Sequence, residues 1–268
     1  MLPPKTRPDA AAAAGSRDDP VPKSRPGSDP VREQALKKMG WFWGSYRKLL
    51  DLLMVDLGPG PRCIKMSWFI NLQKGGTLVF VLGLMNYYGN YSTTAYTYAA
   101  LHGSYGLVWL LKELVCPDPG WQVRVRVGSA IGAWLTVLGP YWIAPYLLIT
   151  SGHEASEGTL CAATIAYALG VVLMVGSDAQ KYFVLKERKG LITDGFFARV
   201  RNPNYLGEMM LYGSFAAVAG HWQPCAVLAW VWLGIFTPNI LMKEARMSRH
   251  GKIWDSYTKR AGMLFPKF

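Results

Sequence analysis

The chain has 268 residues and a formal net charge of +12, and 51% of its residues are hydrophobic. The hydrophobic residues fall in blocks instead of alternating with charge, which is typical of a polytopic membrane protein and argues against soluble domains. The lysines and arginines lie between these blocks, and the sequence contains no basic and aromatic motif for RNA or DNA. We therefore expect an all-α membrane protein without a nucleic-acid partner.

The N-terminal part of the sequence has two segments. Residues 1–30 are rich in Pro, Ala, Ser, Asp and Arg, so they are predicted to be a disordered cytosolic tail, without the apolar core of a signal peptide. Residues 31–62 begin with apolar residues at three- and four-residue intervals and end at a Gly-Pro-Gly-Pro sequence. This pattern predicts an amphipathic helix, lying either on the membrane surface or on the protein's own cytosolic face.

Residues 63–268 form the predicted membrane enzyme domain, whose helices we place at six apolar blocks: Thr77–Tyr88, Ala95–Val115, Val127–Ile149, Leu160–Gly176, Tyr205–Gly220 and Cys225–Met242. The last two are expected to form a hairpin that turns at His221–Pro224. Basic residues crowd two of the loops and the C-terminal tail, which places those segments and both termini in the cytosol. The short loops Tyr88–Thr94 and Ser151–Gly158 would lie on the opposite side.

Cysteine and histidine spacing gives no sign of a disulfide framework or a metal site. The four cysteines form no CxxC pair, and none of the four histidines is at a spacing typical of metal ligands. We expect reduced cysteines and no metal.

A polar segment, Arg201–Glu208, leads directly into an apolar block. Asn202 is predicted to cap a helix that begins at Pro203, and Asn204 and Glu208 would then lie on one face of it. The helix start and the arginines before it present hydrogen-bond donors and positive charge to an anion. A carboxylate within a membrane is costly, which favours a functional role for Glu208 over simple hydrogen bonding inside the bundle.

Three segments of the C-terminal half resemble, in their order and spacing, the C-terminal signature of the steroid 5-alpha-reductase-like superfamily. They are Ser177–Lys181, Gly190–Glu208 and Glu244–Pro266. They are most similar to its uncharacterised DUF1295-type branch. The resemblance covers about a third of the chain, roughly Gly176–Phe268. It implies a helical membrane fold, in the endoplasmic reticulum, whose C-terminal half encloses NADPH from the cytosolic side and which has a lipid cavity reached from the bilayer.

The resemblance also implies a set of cofactor-binding residues, which are Asp178, Gln180, Lys181, Arg188, Arg199, Arg201, Asn204, Tyr205, Glu208, Glu244, His250, Trp254 and Tyr257. Alternatives remain for several of them. Asp178 and Lys181 are one helical turn apart and could pair with each other. The arginines suit phosphate oxygens but could simply set the topology, and Trp254 and Tyr257 could anchor the chain at the membrane interface.

Reduction of a carbon–carbon double bond needs a hydride from NADPH and a proton from a positioned acid. In steroid 5-alpha-reductases a glutamate and a tyrosine on earlier helices are associated with this task. Here Gly103 stands where that tyrosine would be, and the block Thr77–Tyr88 carries no carboxylate. This departure argues against steroid 5-alpha reduction itself and leaves reduction of another isoprenoid or fatty double bond open. The candidate acids are Tyr98, His102 and Tyr105, which would share one stripe of a helix; interhelical hydrogen bonding is the alternative role.

The predicted activity is therefore NADPH-dependent reduction of a double bond in a sterol, isoprenoid or other lipid. A second hypothesis is a methyltransferase that uses S-adenosylmethionine, because isoprenylcysteine and phospholipid methyltransferases have a similar ending, matched here by Arg201, Pro203, Tyr205, Gly207 and Glu244. Asn204, Trp254 and the Asp178–Lys181 group favour the reductase. A third hypothesis is a non-catalytic membrane protein of the same fold.

Overall fold

The computed structural model describes residues 29–267, and the predicted tail 1–30 lies almost wholly outside them. The described chain is helical almost throughout, which confirms the all-α class. Its α-helices are α1 (Pro30–Lys38), α2 (Gly40–Val55), α3 (Met66–Tyr88), α4 (Thr93–Val115), α5 (Val127–Ala133), α6 (Ile143–Ser151), α7 (Glu157–Glu187), α8 (Pro203–Ala219), α9 (Trp222–Val231), α10 (Thr237–Met247) and α11 (Lys252–Arg260).

Several helices are joined through turns of different width. α5 continues through a π-helical turn, Trp134–Leu138, and a 3-10 turn, Gly139–Trp142, into α6. α9 continues through a second π-helical turn, Trp232–Phe236, into α10. Further 3-10 turns are formed by Gly195–Phe197 and Ser248–His250. The strands β1 (Ile64–Lys65) and β2 (Arg124–Val125) pair antiparallel, with Ile64 opposite Val125.

Four helical stretches are long and apolar enough to cross a membrane: Met66–Tyr88, Val127–Ser151, Glu157–Glu187 and Trp222–His250. They indicate an integral membrane protein. The other two predicted crossings correspond to α4 and α8. These two helices are not among the four, and they make the most extensive helix contacts of the described bundle, α4 with α3 and α8 with α7.

The first spanning helix differs from its predicted bounds. α3 begins at Met66 rather than Thr77, and the additional turns carry Gln73 and Lys74, both buried. These polar residues interrupt the apolar pattern in the sequence, but they are covered by neighbouring helices in the structure. The absence of a carboxylate from the predicted block also holds for the longer helix, but the earlier start adds the ionisable side chain of Lys74.

The amphipathic segment forms two helices instead of the single predicted one. The break lies at Gly40, whose φ of +78° is a backbone conformation that side chains with a Cβ rarely adopt. α1 buries Leu36 against Met242 of α10, while α2 buries Leu50 and leaves Trp41 86% exposed. One face of the segment thus packs on the protein itself, and contact of the exposed face with a membrane surface stays a prediction.

The loops assigned to one side of the membrane do meet at one end of the bundle. The Asn90 side chain donates to the Ile149 carbonyl (3.0 Å), and the Ala155 N–H donates to Thr94 Oγ1 (3.1 Å). The turn between α8 and α9 lies at the same end, where His221 Nε2 is 2.9 Å from Ser151 Oγ. The predicted hairpin is confirmed.

The central helix pair α7 and α8 is held together by close backbone packing. A Cβ atom on Gly207 would lie 2.6 Å from the carbonyl oxygen of Gly170 and 2.6 Å from the amide nitrogen of Met174. Glycine at both positions lets the backbones approach as they do in small-residue helix pairs of membranes. This contact places Asp178 of α7 and Glu208 of α8 on walls of one cavity.

Candidate active site

A buried lysine lies at the centre of the bundle. Lys74 of α3 is 7% exposed, and its ammonium donates to the phenol oxygens of Tyr105 on α4 (2.8 Å) and Tyr212 on α8. The same nitrogen lies 4.7 Å from the centre of the Trp109 ring. Two hydroxyls and aromatic ring faces therefore take the place of water around this charge.

Lys74 and Tyr212 border a central cavity of about 200 Å³, which Asn204 and Glu208 of α8 also line. Glu208 and Lys74 attract each other electrostatically. The Asn204 side-chain oxygen is buried and has no hydrogen-bond partner among the described residues. Because buried polar atoms are seldom left unpaired, this oxygen is available to a ligand.

A charged cavity of about 400 Å³ adjoins the central cavity, and Asp118, Asp178 and Lys181 line both. Asp178 pairs with Lys112 at 2.7 Å, and Lys181 pairs with Asp118 at 2.8 Å. Asp178 and Lys181 therefore do not pair with each other, because each has a closer partner on or just after α4. These two ion pairs connect α7 to the end of α4.

Asp118 lies in the loop after α4 and is held as a carboxylate. Burial alone would raise its pKa, but the Lys181 ammonium and the Gly120 backbone N–H more than offset this, so the pKa is below its ordinary value. The charged form of Asp118 is consequently the stable one at neutral pH, and it fixes Lys181 at the boundary between the two cavities.

An apolar chamber of about 330 Å³ adjoins the central cavity on another side. Leu50 and Met54 of α2 form one wall of it, and Ile70, Leu138 and Ile235 line both the chamber and the central cavity. Leu138 and Ile235 belong to the two π-helical turns, where the wider backbone turns side chains toward the cavities. Such turns often occur at functional sites.

The segment before α8 is tied to the C-terminal tail instead of pointing into a cavity. Arg201 pairs with Glu244 through Nη2 (2.6 Å) and Nε (2.8 Å), and the two side chains are 10% and 15% exposed. Asn202 does not cap α8 with its side chain: its amide nitrogen donates to Glu244 Oε1 (3.2 Å) and to the Met263 carbonyl (3.0 Å). The predicted cap was wrong, although α8 does begin at Pro203: the amide is oriented by its two bonds to the tail, and its oxygen accepts no N–H of α8.

The two aromatic residues of the tail are packed inside the protein. Trp254 and Tyr257 of α11 bury against Ala261, and the Tyr257 hydroxyl donates to the Phe197 carbonyl (2.6 Å). Burial raises the pKa of Tyr257 to about 12. The Trp254 ring lies under the Arg201 guanidinium, 5.4 Å from it. Both rings thus stabilise the tail, and their proposed contact with a cofactor stays a prediction.

The remaining predicted cofactor residues lie in different places. The Gln180 side-chain amide donates to the Asp194 carbonyl oxygen and accepts a hydrogen bond from the Phe196 N–H. Arg188 forms an exposed pair with Asp194 at 3.6 Å. Of the predicted set, the structure brings five around the two polar cavities: Asp178, Lys181, Asn204, Tyr205 and Glu208. The others support the loop and tail or lie toward the surface: Gln180, Arg188, Arg199, Arg201, Glu244, His250, Trp254 and Tyr257.

The three predicted catalytic residues share one buried stripe of α4. The Tyr98 hydroxyl lies 2.9 Å from His102 Nδ1, and the His102 ring stacks on Phe215 with centroids 4.2 Å apart. Tyr105 is the member of this set that contacts Lys74. The shared stripe is confirmed, and the catalytic role of its residues stays a prediction.

Sequence reasoning missed Lys74, Tyr212 and Lys243, all of which line the central cavity. Lys74 could have been found, since an ionisable residue within a spanning helix is a functional candidate by default. Tyr212 follows Glu208 by four residues and therefore lies on the same helix face.

Comparisons with known proteins concern the C-terminal half and a short segment. Residues 136–261, just under half of the chain, match the family described as "Protein of unknown function (DUF1295)". An uncharacterized protein of Schizosaccharomyces pombe is 29% identical over 96 residues, which is 31% of this chain and 32% of that protein. The match thus spans about a third of the relative's length. No solved structure matches. Residues 136–261 are therefore similar to the DUF1295 family, as the sequence motifs predicted.

Proposed function

We propose that this membrane protein is an NADPH-dependent oxidoreductase that reduces a carbon–carbon double bond of a lipid. The observation that carries the proposal is the Lys74–Tyr212 pair at the wall of a cavity that adjoins a charged cavity and an apolar chamber. Reduction of a lipid requires a binding site for a charged cofactor, a proton donor and an apolar cavity for the lipid chain, all next to one another. The three cavities supply these requirements side by side.

The residues of the two polar cavities fit a nicotinamide nucleotide. Lys186 offers its ammonium group to phosphate oxygens, and Lys181, although it pairs with Asp118, lines the same cavity with its remaining N–H donors. Arg201 pairs with Glu244 and lines neither polar cavity. The unpartnered oxygen of Asn204 can accept a hydrogen bond from a carboxamide. When bound, this cofactor would supply the hydride.

The proton donor that best fits the geometry is Tyr212. Lys74 donates to the Tyr212 oxygen, and the phenol's own hydrogen can be donated to the neighbouring Tyr105 oxygen or to a molecule in the cavity. Tyr212 borders the central cavity, and a phenolate formed there would lie beside the ammonium. Tyr141 stacks on Tyr212 with ring centroids 4.1 Å apart and helps to keep water away. Tyr105 would then be a second ligand that positions Lys74.

Methyl transfer from S-adenosylmethionine makes less use of this arrangement, because that reaction needs no proton donor. The ion pairs around the charged cavity would nevertheless suit the charged groups of either cofactor. Cofactor binding therefore has to be measured directly.

The first test measures cofactor binding to the purified protein in lipid nanodiscs by calorimetry, once with NADPH and once with S-adenosylmethionine. We expect binding of NADPH, weakened about tenfold or more by Asn204→Ala and by Glu208→Gln, since each removes a hydrogen bond or charge worth about 1.5–3 kcal/mol. Arg188→Gln is the control, because its exposed ion pair is worth little. Binding of S-adenosylmethionine alone would favour the methyltransferase, and binding of neither cofactor would favour the non-catalytic protein.

The second test addresses the proton donor. NADPH carrying deuterium at C4 is incubated with the protein and extracted membrane lipids, and deuterium gained by lipids is followed by mass spectrometry. We expect Tyr212→Phe to lower the rate about 100-fold or more, as for loss of a general acid, with unchanged NADPH affinity. A rate equal to that of the unmodified protein would remove Tyr212 from this role.

A further inference from the structure

The apolar chamber has a polar edge that the proposed reaction does not use. Arg47 of α2 lines the chamber together with Asp51 and Asn239. One Arg47 nitrogen donates to the Asn239 side-chain oxygen, and another donates to Asp51 at 2.8 Å. The third nitrogen, Nε, is buried and has no hydrogen-bond partner among the described residues. A guanidinium donor thus remains available at the chamber wall.

The guanidinium of Arg47 keeps one donor although it also pairs with a carboxylate. Its Nη2 lies 2.8 Å from Asp51, which also pairs with Arg32 at 2.5 Å. An anion placed beside Arg47 Nε would gain a charge-assisted hydrogen bond.

The polar edge is also the boundary with the central cavity. Asn239 lines both spaces, as do Ile70 and Ile235. A ligand head at Arg47 and Asn239 would therefore lie next to the central cavity that contains Lys74, while its tail would occupy the apolar part of the chamber. The volume of about 330 Å³ lies at the lower end of the range for ligand pockets, roughly 300–1,000 Å³.

We propose that the chamber beneath α2 binds a lipid with an anionic head, carboxylate or phosphate, with the head at Arg47 and the apolar chain between α2, α3 and α5. That this lipid is the substrate rests on the proposed function, and its reacting carbon would then lie near the head. The oxygen of a neutral sterol would accept a weaker hydrogen bond from Arg47 than a charged head would. α2 is thereby the element that determines lipid specificity.

The test uses a bifunctional fatty acid, with a diazirine in the chain and a terminal alkyne, added to the full chain in nanodiscs. After irradiation, labelled peptides are identified by mass spectrometry, with and without excess oleic acid, oleyl phosphate or methyl oleate. We expect labelling of the Leu50–Val55 peptide that oleic acid or oleyl phosphate suppresses and methyl oleate does not. Suppression by the ester to the same degree would overturn the requirement for an anionic head.

Two kinds of variant locate the ligand. Val137→Trp or Met54→Trp fills the chamber and should lower the suppressible labelling at least tenfold, whereas Leu52→Trp, on the exposed face of α2, should not. Arg47→Gln should abolish the preference for acid over ester, and Lys48→Gln is the charge-matched control on the same helix. Equal labelling in chamber-filling and control variants that remain folded, judged by thermal unfolding, would overturn the proposal.

NADPH binding is measured on the same variants and distinguishes this proposal from the proposed function. Loss of lipid labelling with intact NADPH binding supports the chamber as a separate lipid site. Suppressible labelling in a protein that does not bind NADPH would support the lipid site while contradicting the reductase. Absence of any suppressible labelling in the unmodified protein would overturn the lipid site alone.

Discussion

Buried charges in this bundle are stabilised in two different ways. Arg201 has a carboxylate partner in Glu244, whereas the ammonium of Lys74 is satisfied by two phenol oxygens and aromatic faces. Ion pairs of the first kind hold segments in place, because loss of one partner leaves an uncompensated charge. The second arrangement leaves a charge beside a cavity, where it can act on a bound molecule.

At the residue scale, the stability contributed by Asp118 should depend on pH. Its folded-state pKa is lowered, so this contribution is fully present above the ordinary aspartate value of about 4 and is lost as the pH falls through the lower folded value. We expect Asp118→Asn to lower the melting temperature at pH 7 and to have a smaller effect at pH 3. Differential scanning fluorimetry between these pH values checks this, with exposed Asp194→Asn as the control. A constant difference across the range would contradict the assignment.

The sequence was sufficient to predict that Asn204 and Glu208 share one helix face, because Pro203 fixes the helix start and their spacing fixes the face, and both line the central cavity. It was not sufficient for Arg201 and Asn202, whose side chains are engaged by Glu244 and Met263. Those partners are far away in sequence, and local pattern does not show which of several polar groups an arginine or amide will contact.

At the scale of elements, the α7–α8 contact should be sensitive to a single methyl group. Gly207→Ala would place a Cβ against the backbone of α7, and we expect a loss of about 1–3 kcal/mol of stability, as for overpacking. The displacement of α8 that the added methyl group requires should also weaken NADPH binding, since Asn204 and Glu208 flank this position. Thermal unfolding and calorimetry measure the two effects.

Gly213→Ala is the matched control on the same helix. A Cβ there would meet nothing within 4 Å, and alanine favours a helix over glycine by roughly 1 kcal/mol. The control should therefore be neutral or slightly stabilising. Equal destabilisation by both substitutions would show that helix contact is not the cause.

Element boundaries were predictable where glycine and proline end a helix, as in the hairpin turn before His221. They were not predictable where buried polar residues interrupt an apolar run, as at Gln73 and Lys74 in α3. The π-helical turns were missed as well, because their width depends on packing between neighbouring helices and not on local sequence.

At the scale of the whole molecule, the two ends of the bundle should face different compartments. Basic residues crowd the loop after α7, whereas Glu154 lies at the other end. In sealed vesicles with the cytosolic face outward, and with exposed Cys63, Cys161 and Cys225 replaced by serine, an impermeant maleimide should label Lys189→Cys directly. It should label Glu154→Cys after permeabilisation. Direct labelling of both positions would contradict this topology, which follows from the distribution of positive charge.

The π-helical turns Trp134–Leu138 and Trp232–Phe236 lie beside the cavities from two different helices. Each holds one residue more than an ordinary α-turn would. Deletion of a single residue from either turn would restore regular α-helical winding, with the helix beyond the turn kept in about the same facing, because the extra residue is absorbed within the turn itself. The cavity wall could thus change in evolution by loss of one codon, while the helices on either side of the turn stay in register.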